Sequence, residues 1–74
     1  MIINCLRSGL SEARGRNGKF GVRQIEIDSF AWGGVPCVDI RAYSKNPCRT
    51  APLMLSLEKD VAIELAHAIL TQTM

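Results

Sequence analysis

Residues 30–43 read Phe30-Ala31-Trp32-Gly33-Gly34-Val35-Pro36-Cys37-Val38-Asp39-Ile40-Arg41-Ala42-Tyr43. An apolar strand end, a Gly-Gly pair and a second alternating run are the signature of a β-hairpin. Side chains alternate across a strand, so Pro36, Val38, Ile40 and Ala42 share one side of the second arm. Cys37, Asp39, Arg41 and Tyr43 share the other. The two sides differ sharply. An arginine, a carboxylate and an aromatic ring beside a Trp turn carry more chemistry than a solvated surface requires.

Working back toward the start, Val22–Trp32 reads as the preceding strand, with Ile25 and Ile27 inward between Gln24, Glu26 and Asp28. That phase puts Phe30 and Trp32 outside unless a bulge near Ser29 resets it. Core packing is the favoured role for Phe30, presentation at the turn for Trp32, and Tyr43 fits either. Ile2–Leu10 suggests a first strand ending near Ser11. Residues 12–19 read as a loop, because two glycines and an Asn-Gly pair interrupt them. Arg14, Arg16 and Lys19 make this loop the most basic spot in the chain.

Toward the C-terminus, Ser44–Pro52 contains two prolines and reads as an irregular loop, followed by a short strand Leu53–Leu57. Ser56 is the expected cap of the helix that follows, with Glu58 and Asp60 at the positive end of its dipole. Val61, Ala62, Leu65, Ala66 and Ile69 form an apolar stripe, which Ile63, Ala68 and Leu70 widen past half the circumference. Asp60, Glu64, His67 and Thr71 remain on the wet side. A helix lying on one sheet needs a narrower stripe, so a second contact is expected, most simply the same helix of a twin subunit.

Seventy-four residues make one domain, 1–74, and a small one. Such a chain buries only about 60% of its unfolded surface, so its core is marginal. Hydrophobic residues make up 47% of the sequence, which again favours self-association. The net charge of +2 is unevenly spread: residues 1–49 hold eight bases against four acids, residues 50–74 one base against three. The sheet portion is therefore about +4 and the tail about −2, which points to a polyanion as partner. Cys5, Cys37 and Cys48 contain no C-x-x-C pair, so reduced structural thiols are expected rather than a zinc site or disulfides. No run approaches 18 apolar residues and no signal segment is evident, so no membrane contact is expected and a cytoplasmic location is, with nucleoid association as its variant.

This order of elements resembles the transcriptional positive cofactor four family, its bacterial and phage members most. The resemblance runs over about residues 2–72. It is carried by Arg23-Gln24-Ile25-Glu26-Ile27, Trp32-Gly33-Gly34, Pro36, Asp39-Ile40-Arg41, Tyr43 and Leu55-Ser56-Leu57-Glu58. It implies an α+β fold: a four-stranded antiparallel curved sheet, one C-terminal helix, and a homodimer joined through the helices. It also implies a concave basic face holding single-stranded DNA, with Trp32 stacking on bases and Arg41 on the backbone. Arg14, Arg16 and Lys19 fall in the family's first basic hairpin. Gly33 and Val35 stand where relatives often carry lysine, Arg49-Thr50-Ala51-Pro52 replaces a lysine- or glycine-rich approach, and Glu26 and Asp28 add negative charge near the expected groove.

Binding single strands without sequence preference needs cations along the backbone and rings for bases. The candidates are Arg14, Arg16, Lys19, Arg23, Trp32, Arg41, Tyr43 and Lys45, with Phe20 or Phe30 as further rings. Asp39 and Arg41, two apart on one face, are expected to pair. His67 has no partner for acid–base or metal chemistry and Cys37 has no base, so neither an enzyme nor a cofactor is expected. The expected role is a homodimeric binder of single-stranded DNA or RNA in transcription, replication or recombination. The alternative is a protein-interaction module of the same fold that grips a transcription or replication protein. Duplex binding ranks last, because no basic helix is free to enter a major groove.

Overall fold

The computed structural model describes residues 1–5, 10–16 and 18–73. It is an α+β fold in which five antiparallel strands precede one C-terminal helix. The strands are β1 (Ile2–Asn4), β2 (Glu12–Gly15), β3 (Gly18–Trp32), β4 (Val35–Ser44) and β5 (Leu53–Glu58), and α1 spans Lys59–Thr73. The sheet runs β1-β3-β4-β5, and β2 pairs with the other end of β3. The fifth strand corrects the expected four. Residues 12–19 are not a loop: Ala13 pairs with Phe20, Arg14 with Lys19 and Gly15 with Gly18, closing a tight hairpin. The first strand is shorter than expected, and residues 6–9 of the Ile2–Leu10 assignment lie outside the described residues.

The Gly-Gly hairpin forms where the sequence places it. Gly33 and Gly34 have φ of 58° and 81°, values that L side chains rarely adopt and that a two-residue hairpin turn demands. From Trp32↔Val35 back to Gln24↔Tyr43 the register is unbroken, so no bulge occurs at Ser29. The bulge lies instead between Val22 and Gln24, where Arg23 is the extra residue. It switches the parity of β3. Phe20 and Val22 therefore share a side with Ile25 and Ile27, while Gln24, Glu26, Asp28, Phe30 and Trp32 occupy the other.

The apolar side comprises Ile25, Ile27, Val38, Ile40, Leu53, Leu55 and Leu57, placed opposite one another by the register. Burial is sparse. Val22 and Cys37, at 5% and 6% exposure, are the only buried hydrophobic residues among those described. The helix contacts β4 and β5 but buries none of its residues, and Val61, Ile63, Leu65, Ile69 and Leu70 stay exposed. Ser56 does not cap the helix. It belongs to β5, pairs with Asp39 and donates its hydroxyl to the Asp39 carboxylate at 2.5 Å. Among the described residues no helix is long and apolar enough to cross a membrane.

Because so little is buried, Val22 matters out of proportion to its size. Val22→Ala is expected to cost about 1–3 kcal/mol, a large share of a small domain's stability. Urea titration reads it as a lower midpoint with an unchanged slope.

Candidate functional site

Two chemically opposed surfaces stand at the two ends of β3. The first is the β2–β3 hairpin. Alternation puts Glu12, Arg14 and Lys19 on one side, and Glu12 bridges both cations, to Arg14 at 3.4 Å and Lys19 at 3.9 Å. Arg14 and Lys19 remain largely exposed, so these contacts hold the side chains loosely and leave their outer donors free. Arg16 is exposed at the reversal.

The loop after β4 adds two more cations. Buried Ser44 accepts from the Asn46 amide at 3.0 Å, Asn46 Oδ1 accepts from the Cys48 amide at 2.9 Å, and the Arg49 amide donates to the Asn46 carbonyl at 3.1 Å. This compact turn delivers Arg49 onto the Phe20 ring, with its guanidinium 4.9 Å from the ring centre. Lys45 donates its amide to the Gly21 carbonyl at 2.8 Å, and its stem lies so close that a Cβ at Gly21 would stand 3.0 Å from Lys45 Cδ. Arg14, Arg16, Lys19, Phe20, Arg49 and Leu53 line a hollow of about 300 Å³. Among the described residues, five cations and one carboxylate lie at this end. Arg49 is not among the expected site residues, and Phe20 is there only as a further ring. The contact between them depends on the turn through Asn46 and Cys48, which composition alone hides.

The middle of the polar side is different. Arg41 reaches across to β3 and pairs with Glu26 at 2.7 Å and with Asp28. The expected Asp39–Arg41 pair does not form, since Asp39 takes the Ser56 hydroxyl and Arg41 takes the carboxylates opposite it. The hydrogen bond that Arg41 donates to Glu26 raises the guanidinium pKa. Arg23 is also engaged: it lies 5.4 Å from the Tyr43 ring centre and donates to the Ser44 carbonyl at 3.2 Å and to Gln24 at 3.0 Å. Register places Glu26, Asp28, Asp39 and Glu58 on the same side as Arg41, so these side chains sum to −3. The Met1 amino group also approaches Asp28, at 4.0 Å.

The second surface is the Gly33–Gly34 end. Trp32 is 77% exposed and Phe30, expected in the core, is 40% exposed beside it. With Cys37, Ser56, Leu57 and Glu58 they line a groove of about 370 Å³. Of the expected residues, then, Arg14, Arg16, Lys19 and Lys45 gather at one end, Arg23, Arg41 and Tyr43 are occupied within the sheet, and Trp32 stands at the far end. Among the described residues no three His, Cys, Asp or Glu side chains gather as a metal site would require.

Arg41 is accordingly structural in its contacts. Arg41→Gln is expected to lower the urea midpoint, because Glu26 and Asp28 then face each other without a counter-charge. Adding Glu26→Gln and Asp28→Asn is expected to recover part of that loss. A midpoint unmoved by the first change would show that the ion pairs contribute nothing.

No family model, no curated protein and no solved structure matches this chain.

Proposed function

We propose that this protein binds single-stranded nucleic acid, DNA or RNA, as a homodimer, holding phosphates with the β2–β3 hairpin. The observation that carries this reading is the gathering of Arg14, Arg16, Lys19, Lys45 and Arg49 on the β2–β3 hairpin and the loop beside it, with Arg49 over the Phe20 ring. Free cations on a tight hairpin suit a flexible phosphate chain, since each phosphate neutralised releases counterions. Phe20 beneath Arg49 supplies a stacking platform, and a stacked base contributes about 1–3 kcal/mol. Arg41 has no part in this reading, because its Nη2 is held by Glu26 and Asp28 and the side chain is largely covered.

The dimer is supported by what one subunit leaves uncovered. Exposed Leu53 and Leu55 on the sheet and Val61, Ile63, Leu65, Ile69 and Leu70 on the helix form more apolar surface than a stable monomer shows. A twin helix is the simplest cover that also satisfies the wide stripe.

A second reading, a protein-interaction module, is favoured by one observation: the polar side between the two ends carries net negative charge. Phosphates approaching that surface would be repelled.

Titrating fluorescent single strands at two ionic strengths separates the readings. Replacing Arg14, Arg16 and Lys19 together with alanine is expected to reduce the steepness of log affinity against log salt by about 2, at roughly 0.7 per lost phosphate contact. An absence of binding by the unaltered protein at low salt would leave the interaction module standing. Sedimentation is expected to give twice the 8.1 kDa subunit mass, and Leu65→Asp to abolish that association. A lone 8.1 kDa species at micromolar concentration would overturn the dimer.

A further inference from the structure

We propose that the groove under the Gly33–Gly34 turn is a docking site for an arginine side chain presented by a partner protein. Phe30 pairs with Cys37 and Cys37 with Glu58, so these three residues form one row across β3, β4 and β5. Strands lie about 4.8 Å apart, which sets the Phe30 ring and the Glu58 carboxylate as opposite walls roughly 10 Å apart at the backbone. Cys37, small and buried, is the floor between them. Trp32 extends the aromatic wall and Leu57 and Ser56 complete the other. The volume, about 370 Å³, accommodates one long side chain.

The chemistry of the walls selects the guest. Glu58 makes no hydrogen bond or ion pair with any described residue, whereas Glu26 and Asp28 are taken by Arg41 and Asp39 by Ser56. Among the described residues, the one uncommitted carboxylate on this side of the sheet therefore stands beside two exposed rings. A guanidinium is the group that satisfies both, because it stacks flat on an indole and gives paired hydrogen bonds to a carboxylate. An ammonium can do only the second as a point charge.

Charge complementarity extends beyond the groove. Asp39 and Asp28 follow on the same side, so a basic segment leaving the groove along the sheet meets further negative charge. A nucleic acid would bring its phosphates to the same carboxylates. This site uses the opposite end of β3 from the basic hairpin, and it stands whether or not single strands bind there.

Trp32 is the only tryptophan, so its fluorescence reports on the groove directly in the unaltered full chain. The probes are a short arginine-rich peptide, matched lysine and glutamate peptides, and a single-stranded oligonucleotide. Saturable change is expected with the arginine peptide at low salt, and weaker binding by the lysine peptide. Glu58→Gln, checked for native circular dichroism, is expected to weaken the arginine peptide about tenfold by removing the charged partner of the guanidinium. Arg14→Ala with Arg16→Ala is expected to leave it unchanged. Anisotropy of a labelled peptide against Trp32→Ala provides a second measure, with loss of binding expected. An unmoved Trp32 signal, equal affinity for Glu58→Gln, equal binding of the lysine peptide, or saturation of the signal by the oligonucleotide alone would each overturn the proposal.

Discussion

One extra residue in β3 decides what each side of this sheet carries. Were the strand regular from Gly18 to Trp32, Phe20 and Val22 would lie with Glu26 and Asp28, and the apolar side would end at Ile25. The irregularity between Val22 and Gln24 moves them to join Ile25 and Ile27. Val22 becomes one of the few buried side chains and Phe20 becomes the seat of Arg49. The displaced Arg23 finds its own partners in Tyr43 and the Ser44 carbonyl, so the bulge is held by hydrogen bonding and ring contact as well as by burial. Bulges of this kind bend a strand and raise its twist, which is how a single 15-residue strand can serve two separate pairings, with β1 and β2, along one edge.

The same arrangement exposes how little one subunit can bury. A sheet with one covering helix normally hides the helix's apolar stripe. Here the helix packs on β4 and β5 yet keeps its large side chains in water. Ordering a 15-residue helix costs entropy that propensity alone does not offset. Burial of Val61, Leu65 and Ile69 against a second apolar surface would supply the missing stabilisation, and Leu53 and Leu55 on the sheet have the same need.

The fold class, the Gly-Gly hairpin, β4, β5 and the helix were legible because each rests on a local signal: turn residues, alternation, helical spacing. What was not legible depends on contacts between distant residues. Residues 12–19 look like a loop because Gly15, Asn17 and Gly18 dominate their composition, and the strand character of Glu12 and Ala13 emerges only through pairing with Gly21 and Phe20. The Arg41 partners could not be read from its own strand, since Glu26 and Asp28 lie across the ladder and become neighbours only once the register is fixed. Ser56 carries a plausible capping signature, yet β5 continues through Glu58 and Asp39 claims its hydroxyl. Basic residues can be singled out by type, but which of them the fold engages internally is a property of the sheet.

That division of the cations has an electrostatic consequence. The exposed ones, Arg14, Arg16, Lys19 and Lys45, sit at one end of a molecule whose longest extent is 36 Å, and the Trp32 groove with Glu58 sits at the other end of β3. At physiological ionic strength charge interactions fade over about 8 Å, so the two ends lie several screening lengths apart. Neither end cancels the other's field, even though their opposite signs nearly balance in the net charge of +2. The Arg41 cluster between them acts as an insulator, pairing its charges internally rather than extending the basic surface toward Trp32. A small, nearly neutral chain can thus present a cationic hairpin and an anionic aromatic groove at once, each to a partner of opposite charge.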